Sequence, residues 1–220
     1  MIRQPGEIER TSFALIRDEL RERNIRLDPE NEAVILRCIH ASADFDYAGT
    51  LLFTPDAAEQ GVEALRGGCD IVTDTNMARA GISRTALQQL GGETHCLMAE
   101  ERIAEAAKAR KITRAAAAMA EAAKRFPSAV YAVGNAPTAL FPLAEEIRRG
   151  LRPALIVAVP VAFVNVVESK EHIVSVCRAY GIPAIAAMGR KGGSSIAAAV
   201  CNALLYTAAN MQDPAGRGWN

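Results

Sequence analysis

From Asp70 onward, five short runs rich in β-forming residues alternate with runs of helical character, and this alternation constrains the fold more than any other feature of the chain. The strand candidates are Asp70–Thr73, Thr94–Met98, Ala129–Val133, Ala154–Val159 and Ala184–Met188. Between them lie helical runs at Glu100–Arg125, with a break near Lys111, at Thr138–Arg149 and at Val166–Tyr180. A last helix runs from about Ser194 to Ala209. Parallel strands need long crossovers, usually helices, so the alternation predicts a parallel sheet with helices on both faces. The uninterrupted "ALIVAV" at Ala154–Val159 fits a central strand buried on both sides.

Helices also precede the sheet. Glu7 to Arg23 places Phe13, Ile16 and Leu20 at helical spacing. Asp28 is expected to cap a second helix, with Pro29 and Glu30 in its first turn, that runs to about His40. A third spans Pro55 to Leu65 and stops at Gly67-Gly68. Half of the 220 residues are hydrophobic, enough to bury a core without staples. With no long linker and no repeat, residues 1–212 read as one domain and 213–220, which contain Gly and Pro, as a loose tail.

Composition removes several classes of function. Lys+Arg and Asp+Glu both number 25, so no net field favours nucleic acid or a membrane surface. The longest apolar run, Pro153 to Val167, is broken by Pro160 and Asn165 and falls short of the ~20 residues a membrane helix needs. The five cysteines, Cys38, Cys69, Cys96, Cys177 and Cys201, are odd in number and lack a C-x-x-C pair. That argues against a disulfide framework or zinc site and for a reducing cytoplasm. The start, Met1 to Pro5, lacks a signal-peptide core, and the histidines lack metal-ligand spacing, so no metal is expected.

Ligands of open parallel sheets bind beyond the C-terminal strand ends. Here those ends read Thr73–Asn76, Gly134–Thr138, Pro160–Phe163 and Gly189–Ser195, rich in Gly, hydroxyls and amides and leading into helix N-termini that favour anions. The "GRKGGSS" turn fails the phosphate-loop pattern because Lys191 precedes the paired glycines. It reads either as an anion nest with Arg190 or Lys191 as counter-charge, or as a basic connecting turn. In "GNAPTAL", Asn135 and Thr138 either face a ligand or cap the helix. In "VVESKEH", Lys170 sits near a helix start, where a cation is unfavourable unless it meets an anion. Arg37 and His40 share one helix face, and His40 falls in the last turn, where free carbonyls favour imidazolium while Arg37 opposes it. An incoming polycarboxylate would neutralise Arg37 and make His40 a ligand-activated proton donor. The alternative is a helix-end histidine without chemistry.

The ordered set "ERTSFALIR", "RCIHAS", "GNAPTAL", "VESK" and "GRKGGSS…AAAVCNAL" resembles the precorrin-8X methylmutase family over nearly the whole chain, from about Glu9 to Leu205. The resemblance implies a flavodoxin-like α/β/α sandwich with a five-stranded parallel sheet, and a homodimer with active sites near the subunit interface. It implies an isomerase of corrin biosynthesis that uses no separate cofactor. Its substrate would be a tetrapyrrole bearing many carboxylates, with a methyl group moved from C11 to C12 to give hydrogenobyrinate, or cobyrinate when the ring holds cobalt. The resemblance places the catalytic histidine on His40 and substrate contacts on Arg37, Ser12 and Arg114. The family commonly has Gly where this chain has Ala162 and Asn165. The competing expectation is a non-catalytic corrinoid carrier with a similar pocket.

Overall fold

The computed structural model describes residues 3–219. The chain opens with α1 (Pro5–Glu22), α2 (Glu32–Ser42) and the short α3 (Tyr47–Thr50), which leads into strand β1 (Leu51–Phe53). Then follow α4 (Ala57–Arg66), β2 (Ile71–Thr73), α5 (Asn76–Gly81), α6 (Arg84–Gln89), β3 (Thr94–His95), α7 (Glu101–Arg110) and α8 (Arg114–Arg125). The last part comprises β4 (Val130–Val133), α9 (Leu140–Arg148), β5 (Leu155–Ala158), α10 (Val166–Tyr180), β6 (Ala184–Ala187) and α11 (Ser194–Ala208).

The strands form one six-stranded sheet in the order β1-β6-β5-β4-β2-β3. Five strands are parallel, as the alternation requires, and each falls within its predicted run. The sixth, β1, is a correction: it lies antiparallel on the edge, with Leu51 opposite Ala187. Three residues carry too short a pattern to announce a strand, and pairing with β6 is what makes it one. The order of the parallel strands reverses between β2, which pairs β3 on one side, and β4 on the other. That reversal is where such sheets open a ligand crevice.

Side chains alternate between two cores. Val130, Ala132, Leu155, Val157 and Ile185 face a layer that includes α1, α2, α4 and α11. Tyr131, Val133, Ile156, Ala158 and Ala186 face the layer of α7 to α10. The result is helices on both faces of a doubly buried sheet, with β4, β5 and β6 buried at every residue.

One helix prediction shifts. The second helix starts at Glu32, not at Asp28, whose carboxylate instead holds the Glu30 N–H at 3.1 Å and the Asn31 side chain at 3.1 Å in the preceding turn. The break near Lys111 is real, since Lys111 adopts φ 54 and closes α7. In the described part of the tail, residues Pro214–Arg217 form a 3-10 turn capped by Asp213, and the Arg217 side chain is only 8% exposed.

Close backbone approach at the strand ends demands glycine. A Cβ on Gly134 would stand 2.8 Å from both the Gly193 oxygen and Ser194 Cα. One on Gly192, at φ +154, would stand 2.1 Å from the Val159 oxygen. Asn165 has φ 56, a left-handed conformation that asparagine tolerates better than most residues.

Candidate active site

His40 occupies the last turn of α2 because that helix runs on to Ser42, whose hydroxyl donates to the Cys38 carbonyl at 2.7 Å, and closes at Ala43 with φ 55. The buried side of α2, Val34, Ile35, Leu36, Cys38 and Ile39, docks the helix and leaves His40 exposed. Its Nδ1 lies 2.9 Å from Ser12 Oγ on α1, and its ring stacks on Phe13 with centroids 4.9 Å apart. No hydrogen bond engages Nε2 among the described residues. Partial desolvation, followed by the Arg37 charge, holds the imidazole pKa below its ordinary value; Glu9 opposes this and Arg217 adds to it.

Arg37 is half-enclosed. Its guanidinium pairs with Glu9 and lies 4.7 Å from the Phe13 ring and 5.1 Å from the Tyr206 ring. Glu9, 5% exposed, accepts on its other oxygen from Arg217 at 2.6 Å. The two arginines hold the Glu9 carboxyl below the usual range against the opposing effect of its burial, which is the largest single influence. Beside this cluster opens a cavity of about 410 Å³, lined by Arg10, Phe13, Arg17, Arg37 and Tyr206 among others.

The strand-end loops turn out to be internally satisfied. Asp74, fully buried after β2, accepts the backbone N–H groups of Gly134, Asn135 and Ala136 at 2.9, 2.8 and 2.8 Å. The N–H cluster expected to meet a ligand anion therefore already holds a protein carboxylate, across the point where the strand order reverses. Burial pushes the Asp74 pKa up, while the three N–H donors favour the anion. Lys170 is likewise a correction. It is fully buried and donates to the carbonyls of Gly189 at 2.9 Å and Lys191 at 2.8 Å. It supports the "GRKGGSS" turn from beneath instead of offering its charge at the rim.

Lys191 is committed as well, at 2.6 Å from both Asp44 and Asp46, and this ties the β6–α11 turn to the chain just past His40. Arg190 is exposed with no ion pair among the described residues, its guanidinium 5.9 Å from the Phe163 ring. Phe163 and Val164 are 83% and 74% exposed on the β5–α10 loop, so an apolar wall and a cation stand together beside the strand ends.

Thr138 bonds Thr113 through their hydroxyls at 2.7 Å, and Thr113, not Thr138 or Asn135, caps a helix: it accepts the Ala116 N–H at the start of α8. Arg114 follows at the first position of α8, exposed, as is Asn135. These three share the C-terminal edge of the sheet with His40 but belong to the opposite helical layer, and no hydrogen bond among the described residues joins them to it. His95 bonds Asp70 at 3.1 Å and stacks on Phe126. The residues that sequence reasoning missed are Glu9, Asp74, Tyr206 and Arg217. Glu9 alone carried a signal, since it lies three positions before Ser12 and so shares its helix face.

An α/β sandwich with a hydroxyl-backed histidine beside an arginine-lined cavity on α1 and α2 is the architecture of an enzyme suited to an acidic small molecule. The precorrin-8X methylmutase family model matches residues 7–207. A cobalt-precorrin-8 methylmutase of Salmonella typhimurium is 45% identical over 211 residues, covering 93% of this chain and 96% of that one. A precorrin-8X methylmutase of Pseudomonas aeruginosa is 39% identical over 204 residues, covering 92% and 96%. Among solved structures, a precorrin-8x methyl mutase from Thermus thermophilus superposes with a TM-score of 0.82 at 37% identity, covering 92% of this chain and 98% of that one. The chain belongs to the precorrin-8X methylmutase family, and it is an enzyme of the methylmutase class of isomerases.

Proposed function

We propose that this chain moves the C11 methyl group of precorrin-8X, or of its cobalt-bearing counterpart, to C12, with His40 as the proton donor. The observation that carries the assignment of His40 is its pairing with Ser12. The hydroxyl meets Nδ1 and leaves Nε2 open to a ligand. As imidazolium, His40 donates Nδ1–H to Ser12 and presents Nε2–H outward. After Nε2 gives up its proton, the neutral ring keeps the same Nδ1–H bond, so the transfer needs no reorientation.

The shift is an intramolecular rearrangement of a conjugated ring. It needs no nucleophile; it needs electron density drawn from the macrocycle at the migration site. A proton or strong hydrogen bond from Nε2 to a ring nitrogen does this, typically contributing ~10²–10⁴-fold, and the proton returns to His40 once the methyl has moved. In the free enzyme burial and Arg37 hold the His40 pKa below its ordinary value. Ligand carboxylates that pair with Arg37 offset that repulsion and charge the ring when substrate is present. Exposed Arg114 and Arg190 are suited to further carboxylates, and Phe163 and Val164 to the flat apolar ring. Asn135 and Thr138 complete the edge as uncharged hydrogen-bonding groups.

The order of the parallel strands supports a flavodoxin-like reading of the sheet, with β1 added. A homodimer is supported by α1, where Ile8 and Leu15, 48% and 63% exposed, flank Ser12 on one helix face. A second copy covering this face would also close over His40. The test is conversion of precorrin-8X or cobalt-precorrin-8 followed by absorbance. Appearance of the rearranged-ring spectrum is expected; binding without spectral change would leave the carrier function instead.

A further inference from the structure

A buried ion cluster beside the proposed site extends beyond the family match, which ends at residue 207. Glu9 holds two arginines, one on each carboxylate oxygen: Arg37 from α2 and Arg217 from the C-terminal segment. The Arg217 guanidinium lies 4.4 Å from the Tyr206 ring, which Arg37 also approaches, and 5.2 Å from the Trp219 ring. Its Nε is enclosed without an acceptor among the described residues. The segment is anchored at its start too, where Asp213 accepts two bonds from Arg10 at 3.0 and 2.6 Å.

One carboxylate and one arginine would make a neutral, self-satisfied pair. Burying a second guanidinium there is unfavourable for folding alone, since it brings like charges together and leaves a donor unused. Its consequence is electrostatic: the cluster of Arg37, Glu9 and Arg217 carries one net positive charge, next to His40 and to the arginine-lined cavity. We propose that residues 213–219 form a strap whose Arg217 shares Glu9 with Arg37, so that one carboxylate faces two guanidiniums and one positive charge stays uncompensated at Arg37 for a carboxylate of the ligand. Arg217 is thus a positioning residue, acting through Glu9 and Arg37. The inference rests on the reading of Arg37 as a carboxylate contact.

The test uses the full chain and hydrogenobyrinic acid as probe, titrated by absorbance. Arg217→Met is expected to weaken binding by about tenfold or more, from loss of a charge-assisted contact, and to raise KM more than it lowers kcat. Glu9→Gln combined with Arg217→Met restores a single uncompensated guanidinium and is expected to recover most of the affinity. A strap that only braced the fold would leave the double variant as weak as the single one, and that result overturns the proposal. Unchanged affinity in Arg217→Met overturns it as well. The His40 titration in the ligand-free protein, followed by NMR, then tells which part failed. The charged groups that influence His40 are Arg37 on its own helix, Glu9 on α1 and Arg217 on the strap. If losing Arg217 raises the His40 pKa while affinity holds, the cluster charge is as described and Arg37 is not the ligand contact. If neither moves, the strap does not set the charge.

Discussion

Ser12 Oγ stands 2.9 Å from His40 Nδ1, and the two residues come from different helices 28 positions apart. The hydroxyl fixes the ring's plane against Phe13 and assigns the outward nitrogen. His40→Ala is expected to abolish turnover while leaving corrinoid binding intact. Ser12→Ala is expected to lower kcat by about 10- to 100-fold with little change in KM, because the ring remains but loses its orientation. Steady-state kinetics on the two variants check this; a normal rate in His40→Ala would remove the acid from the mechanism.

Arg37 connects ligand charge to ring charge. Arg37→Met is expected to raise KM about tenfold or more and to raise the pKa of the free-enzyme His40, because a neighbouring cation is lost. In the wild type, Arg37 holds that pKa down. The alkaline limb of kcat/KM, where the free enzyme's His40 loses its proton, should therefore move to higher pH in the variant. Unchanged KM and an unmoved profile would take Arg37 out of both roles.

Asp74 binds three backbone N–H groups of the β4 loop across the sheet's reversal point. Asn in its place offers one acceptor oxygen and turns an N–H₂ toward donors. Asp74→Asn is expected to cost about 2–4 kcal/mol of stability. It should also disturb Asn135 and Thr138 more than His40. Denaturant unfolding gives the first quantity, and amide hydrogen exchange at residues 134–138 the second.

Burial pushes the Lys170 pKa down to about 8. Between that value and its ordinary 10.5, the unfolded chain binds the extra proton and the folded chain does not, so this lysine's contribution to stability improves as pH rises through the window. Below about 8 the folded protein carries the full burden of a buried ammonium. The stability difference between wild type and Lys170→Met is expected to change in favour of the wild type by at most about 3 kcal/mol from pH 8 to pH 10.5. Parallel pH series of unfolding midpoints measure it, and a flat difference would show that the two carbonyl acceptors keep the ammonium charged throughout.

The elements that were legible in the chain have patterns of their own. β5 is apolar at every position, α10 has the predicted ends Val166 and Tyr180, and the break at Lys111 falls between two runs of helical spacing. β1 was not legible, because three residues become a strand only when β6 supplies a partner. Neither was the capping by Thr113, whose hydroxyl also bonds Thr138 in a distant segment.

At the site the division is sharper. Arg37 and His40 share a face because helical spacing puts them there, and that much follows from local sequence alone. Whether a polar group remains available to a ligand is not local. Lys191 is engaged by Asp44, 147 positions away, and Glu9 by Arg217, 208 positions away. Asp74 fills the nest of a loop 60 positions downstream. The sequence by itself determined the alternating parallel architecture and the helix end that carries the histidine, since burial of apolar side chains follows a period that can be read along the chain. Only the tertiary structure decided which charges are already neutralised and which still face outward. Pairing is set by distance in space, and an ammonium or carboxylate looks the same in sequence whether or not its partner is in reach.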